Sequence, residues 1–136
     1  MSGIELSQDV TDRLGKEAVA WLVTVNAKGQ PQASPVWYLW HGGALWVQSQ
    51  PDVGKTRNIG TNPKVAFHLD GDGRGGGIVS IDATAELGGT PSEGYREAYA
   101  AKYEHLITGA LKTTVEGFFD DYSVPIAITP ARVRAW

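Results

Sequence analysis

"AVAWLVTVNAKGQPQASPVWYLWHGGALWVQSQ", residues 18–50, holds three strand-like runs and two turn signals in one block. The run "AVAWLVTVN" at 18–26 is rich in Val, Trp and Thr, which suit a pleated, half-buried surface. "NAKGQ" supplies a turn, with Gly29 available for a positive φ. Residues 31–41, "PQASPVWYLWH", and 44–50, "ALWVQSQ", read as two more strands joined at Gly42-Gly43, a hairpin signal. Strands linked by tight turns run antiparallel. The block therefore sets the class: a small antiparallel β structure.

The rest of the chain extends that pattern. "KVAFHLD" at 64–70, "GIVSIDATAEL" at 77–87 and "PIAITPARVRAW" at 125–136 read as strands, the last one closing the sheet. Helices fall between them. Ser7 caps a short helix through Leu14, with Gly15 as its stop. "VGKTRNIGTN" at 53–62 reads as a helical turn. "TPSEGYREAYAAKYEHL" at 90–106 carries Thr90 as a cap, Pro91 at the first position and Glu93 to complete a capping box. A further helix is expected over 112–122. Six or so strands in hairpin order with helices between them predict an α+β chain built on one small antiparallel barrel, a single domain over 1–136. Such barrels take ligands at the mouth, against a helix or between subunits.

Composition narrows the function. The 136 residues carry a net charge of -3, which argues against a nucleic-acid partner. There is no cysteine, hence no disulfide and no thiol nucleophile. The longest apolar stretch is too short to span a bilayer, and "MSGIELSQDV" lacks a signal-peptide pattern, so a cytoplasmic protein without a membrane partner is expected. His41, His68 and His105 show no metal-ligand spacing. With no nucleophile, metal or acid–base pair in view, hard chemistry here needs a cofactor.

Two cations stand out. No Lys or Arg occurs from Gln30 to Gly54; then Lys55 and Arg57 follow two positions apart at a helix start. Cations there repel the positive end of the helix dipole unless an anion sits between them. One reading is a phosphate site; the other is a pair of solvated surface charges. Trp37, Tyr38, Trp40 and Trp46 form an aromatic cluster in which Trp37 and Tyr38 face opposite ways, read as core and subunit interface before ring stacking. "GDGRGGG" at 71–77 lacks the strand–loop–helix setting of a phosphate loop and reads as a flexible hairpin.

The succession "NAKGQPQASPVW", "GGALWVQSQ" and "KTRNIGTNPKV", covering 26–37, 42–50 and 55–65, resembles the pyridoxamine-phosphate-oxidase-like split β-barrel family. Within that family the chain is most similar to small actinobacterial flavin and deazaflavin oxidoreductases. The resemblance implies a homodimer with two cofactor sites at the subunit interface. The cofactor phosphate is expected at Lys55 and Arg57, in the run that continues through Thr56 and Asn58. Arg57, with its planar fork, is expected to hold it more firmly than Lys55. The flat ring is expected along Pro35, Val36 and Trp37, edged by Gln48, Ser49 and Gln50. A loop at Gly76 and Gly77 is expected to come from the second subunit. The family's FMN oxidases carry Arg and Lys on the second strand, and residues 31–47 here have neither. Coenzyme F420 is therefore the expected cofactor, with reduction of an unsaturated small-molecule substrate by hydride as the expected reaction. FMN on the same barrel, or a non-catalytic carrier or sensor holding F420, haem or another planar anion, are the alternatives.

Overall fold

The computed structural model describes residues 4–136; residues 1–3, at the head of the acidic N-terminal stretch, lie outside it. Seven strands form one antiparallel sheet: β1 (Ala20–Val25), β2 (Pro31–Val36), β3 (Leu39–His41), β4 (Ala44–Ser49), β5 (Lys64–His68), β6 (Val79–Leu87) and β7 (Val124–Ala135). Their order across the sheet is β2-β1-β5-β6-β7-β4-β3. The two edge strands, β2 and β3, are consecutive in the chain, so the sheet curls back on itself as a split barrel. Four helices surround it: α1 (Gln8–Lys16), α2 (Gly54–Thr61), α3 (Tyr95–Gly109) and α4 (Val115–Asp121). Among the described residues no helix is long and apolar enough to cross a membrane.

The strand expected over 31–41 is broken. Trp37 and Tyr38 form a corner between β2 and β3. Adjacent residues in extended backbone point to opposite sides, and the corner keeps that alternation. Tyr38 enters the barrel core with Leu22, Phe67, Ile81 and Ile126. Trp37 packs outside, against a second apolar layer formed by α3 and α4 on β3 and β4. Each fully buried side chain of this kind contributes about 1.5–3 kcal/mol over its exposed state.

A corner leaves backbone groups without a strand partner, and α3 supplies what is missing. The Tyr103 hydroxyl accepts from the Tyr38 N–H at 2.9 Å. It donates to the Ala18 carbonyl at 2.6 Å, with the Tyr38 carbonyl at 2.9 Å. Lys102 Nζ donates to the carbonyls of Leu14 and Tyr38, each at 3.1 Å, and lies 3.8 Å from the centre of the Tyr38 ring. One helix thus holds the end of α1, the start of β1 and the β2–β3 corner together.

Helix ends depart from the sequence expectations. Ser7 does cap α1, accepting from the Val10 N–H at 3.3 Å, but the helix runs through Gly15 to Lys16. α3 begins at Tyr95 rather than in the Thr90–Glu93 segment, after Gly94 in a left-handed conformation (φ 85°). Ser92 is engaged elsewhere: its Oγ lies 2.9 Å from His41 Nε2. α4 is shorter than the expected 112–122 and is capped by Thr114, which accepts from the Gly117 N–H. The 71–77 turn is tied down by Asp72, whose carboxylate accepts from the amides of Arg74 (2.7 Å) and Gly76 (3.1 Å).

Candidate functional site

α2 follows β4 through a tight turn in which Asp52 has a positive φ of 54°. Val53 stands at its cap and offers no side-chain acceptor to the first-turn amides. Thr56 compensates from within the helix: its hydroxyl accepts from the Val53 N–H at 3.0 Å and donates to the Val53 carbonyl at 2.8 Å. Asn58 is buried and donates to Thr24 Oγ1 (2.9 Å) and Gln32 Oε1 (3.0 Å), pinning α2 to β1 and β2. These two side chains fix the helix through the Thr56 hydroxyl and the Asn58 amide nitrogen, both engaged inside the fold.

That fixation aims Lys55 at a cavity of about 180 Å³ lined by Pro35, Val36, Trp37, Val47, Gln48, Lys55, Tyr99, Leu111, Phe118 and Tyr122. Ligand pockets commonly enclose about 300–1,000 Å³, so this cavity is smaller than a typical ligand site. The walls are flat. Trp37 stacks on Tyr103 (4.9 Å, 10°), and Phe118 stacks on Tyr122 (4.8 Å, 18°). Gln48 is held by both ends of its amide: Oε1 accepts from the Tyr95 hydroxyl at 2.6 Å and Nε2 donates to the Tyr122 carbonyl at 2.7 Å.

The expected site residues therefore divide. Pro35, Val36, Trp37, Gln48 and Lys55 meet at the cavity. Ser49 and Gln50 do not line it; the Ser49 hydroxyl donates to the Gln50 carbonyl. Arg57 does not line it either. Its guanidinium donates to the Asp52 carbonyl at 2.8 Å, lies 3.5 Å from the Asp52 carboxylate and is 63% exposed. Gly76 and Gly77 lie in the turn before β6, where the Gly77 carbonyl accepts from Arg13 at 2.8 Å. Val47, Tyr99, Leu111, Phe118 and Tyr122, which also line the cavity, were not among the residues expected from sequence. The spacing of Tyr95, Tyr99 and Tyr103, four apart on one helix face, was the available signal.

Electrostatically the cavity has one cation. Lys55 is half-buried, makes no ion pair among the described residues, and has its pKa lowered by desolvation. Among the described residues no His, Cys, Asp and Glu cluster suits a metal. Burial also raises the phenols of Tyr38, Tyr95, Tyr99 and Tyr103 well above their ordinary value of 10.0. The fold holds these protons when the unfolded chain releases them. The stability they contribute is present in full below about pH 10 and is lost as pH climbs toward the raised values. In a base titration, absorbance at 295 nm is expected to rise in the same cooperative step as loss of the circular dichroism signal for these four tyrosines. Their ionisation near pH 10 with the fold intact would contradict the burial.

The profile of the family described as "Pyridoxamine 5'-phosphate oxidase" matches residues 6–136. A conserved hypothetical protein from Mycobacterium tuberculosis is 22% identical, with a TM-score of 0.77 over 99% of this chain and 86% of its own. A structure described as an F420 reductase is 22% identical, with a TM-score of 0.72 over 95% of this chain and 98% of its own. A heme storage protein from Vibrio cholerae is 18% identical, with a TM-score of 0.67 over 97% of this chain and 95% of its own. At these identities the likeness is one of fold. No curated protein matches the chain in sequence.

Proposed function

Because the chain belongs to the pyridoxamine 5'-phosphate oxidase family, we propose that it is an F420-dependent oxidoreductase acting as a reductase on an unsaturated small molecule. The observation that carries this reading is Lys55, a half-buried cation without an ion pair among the described residues, on a cavity walled by flat aromatic and apolar side chains. An anion beside Lys55 favours its charged form and offsets the cost of burial. A phosphate at Lys55, with a planar ring running inward along Pro35, Val36 and Trp37, answers both features. The small enclosed volume accords with a homodimer in which a second copy, through the turn at Gly76 and Gly77, closes the site. When bound, reduced F420 supplies a hydride. The chain's own contribution is to position the reactants against Trp37 and Phe118 and to exclude water, with Leu111 at the rim.

The absence of Lys and Arg on residues 31–47 favours F420 over FMN. A phosphate that lacks one charge-assisted hydrogen bond binds about tenfold more weakly or worse. F420 is therefore expected to bind more tightly than FMN by at least about that factor in a fluorescence titration. Equal or tighter binding of FMN would make the protein a flavoprotein instead. A second reading, a non-catalytic holder of a planar anion, draws support from one observation. Of the titratable side chains on the cavity whose shifts are resolved, Tyr99 is pushed further from neutrality by burial, and the Lys55 ammonium is taken up by the anion in this reading, so neither is left free as an acid catalyst at neutral pH. A heme storage protein shares the fold. Oxidation of reduced F420 by added enones or quinones separates the two; binding without turnover across such acceptors sinks the reductase.

A further inference from the structure

Five large apolar side chains among the described residues are exposed, those of Ile4, Val19, Leu87, Leu111 and Trp136. Scattered singly, such residues are ordinary on a protein surface. Leu111, 42% exposed, stands apart because it alone of the five lines the cavity that holds Lys55. Among the residues lining that cavity only Pro35 and Leu111 are exposed; the rest are buried or half-buried. These two therefore edge its mouth. Neither side chain carries a charge, a donor or an acceptor.

Leu111 belongs to the connection 110–114 between α3 and α4, and that connection is firmly held. The amides of Ala110 and Leu111 both donate to the Leu106 carbonyl, each at 3.0 Å, and the Thr113 amide donates to the Ile107 carbonyl at 3.1 Å. Thr114 caps α4. Lys112 takes a left-handed conformation, φ 53°, which residues with a Cβ seldom adopt. An apolar residue just past a helix end frequently packs back on the last turn. Leu111 stays outside the apolar layer that takes in Leu106 and Ile107 from that turn. A fixed turn thus holds an uncovered apolar side chain at the mouth of the cavity.

We propose that Leu111 is a specificity-determining residue for the hydride acceptor: its side chain covers an apolar, uncharged part of the substrate at the cavity mouth. The assignment rests on the F420-dependent reductase reading and deepens it. In that reading the cofactor's anion is at Lys55 and its ring runs inward along the strand wall, so the acceptor approaches from the mouth, past Leu111. A charged substituent there gives up water with nothing to replace it. An alkyl substituent removes its own apolar surface and that of Leu111 from water together. The substrate class is an unsaturated ketone or quinone bearing apolar substituents.

The test uses the full chain with Leu111→Ser, and with Leu87→Ser as a matched control, since Leu87 is 41% exposed and does not line the cavity. Oxidation of reduced F420 is followed with two acceptors, cyclohex-2-enone and carvone, a cyclohexenone that carries methyl and isopropenyl groups. Leu111→Ser is expected to raise the KM for carvone about tenfold, the low end for a lost apolar contact, and that for cyclohexenone about threefold. Its F420 affinity by fluorescence titration and its ligand-free melting temperature are expected to stay near wild type. Leu87→Ser is expected to change neither KM. Wild-type KM for carvone in Leu111→Ser overturns the assignment and leaves the reductase reading standing. Three further results overturn it as well: F420 binding weakened about tenfold, which makes Leu111 part of the cofactor wall; a marked drop in melting temperature; or a change of sedimentation from dimer to monomer, which makes Leu111 a subunit contact. If the wild type binds F420 but reduces neither acceptor, the reductase reading falls and the Leu111 assignment falls with it.

Discussion

Lys55→Ala is expected to weaken F420 binding by roughly 1.5–3 kcal/mol, about ten- to hundredfold, while the ligand-free protein melts no lower than wild type. The ammonium is half-buried, lowered in pKa by desolvation, and unpaired among the described residues. Without ligand it is a desolvated charge near the positive end of α2, so its removal relieves two small penalties. With ligand it supplies the one cationic contact on the cavity wall. Raising salt should weaken binding by the wild type more than by the variant, because screening acts on the charge that remains. Arg57→Ala is expected to cost less, reversing the order expected from sequence. Its guanidinium is 63% exposed and occupied by Asp52. Titrations of both variants at two salt concentrations decide the matter. An unchanged dissociation constant for Lys55→Ala would put the anion site elsewhere.

Tyr103→Phe is expected to lower the melting temperature by about 12 °C. Its hydroxyl accepts from the Tyr38 N–H and donates to the Ala18 carbonyl, and Tyr103 is fully buried. Each buried backbone group left unmet costs about 1–3 kcal/mol. Lys102 still serves the Tyr38 carbonyl, so the buried Tyr38 N–H is stranded outright and the half-buried Ala18 carbonyl loses its partner. Their loss amounts to about 3 kcal/mol, at about 4 °C per kcal/mol for a chain of this size. Calorimetry measures it directly. A drop of less than about 3 °C would mean that water replaces the hydroxyl, and that the corner at Trp37-Tyr38 does not depend on α3.

Much of the barrel was legible because its signals are local. Gly42-Gly43 sits between two apolar runs, and β3 and β4 pair across it, with His41 opposite Ala44. β7 occupies nearly the whole alternating segment at 125–136. The errors arose where distant contacts override local chemistry. The Thr90–Glu93 segment has the residues of a capping box, but Ser92 is drawn to His41 and the chain turns at Gly94 before α3 starts. The corner at 37–38 has no Gly or Pro to mark it. It depends on hydrogen bonds from Tyr103 and Lys102, some 65 residues away. The cavity divides in the same manner. Lys55 announced itself through an interrupted charge pattern, whereas the strand residues came only from the family resemblance. The aromatics of α3 and α4 acquire their place only when those helices dock on the sheet, and no local pattern in "YREAYAAKYEHL" or "VEGFFDD" states which sheet face they will meet.

The position of β7 carries a consequence for how the chain is made. It comes last of the seven strands in chain order, yet it sits between β6 and β4 in the sheet. It is the seam joining the β2-β1-β5-β6 half to the β4-β3 hairpin. During synthesis, residues 124–135 emerge from the ribosome after every other strand. Until then the nascent chain holds two partial sheets, each with an unpaired inner edge and an uncovered apolar face. Such edges pair readily with other chains. The interval between the emergence of β6 and that of β7 is therefore the vulnerable period of this protein's life, and a ribosome stalled within it exposes both open edges at once.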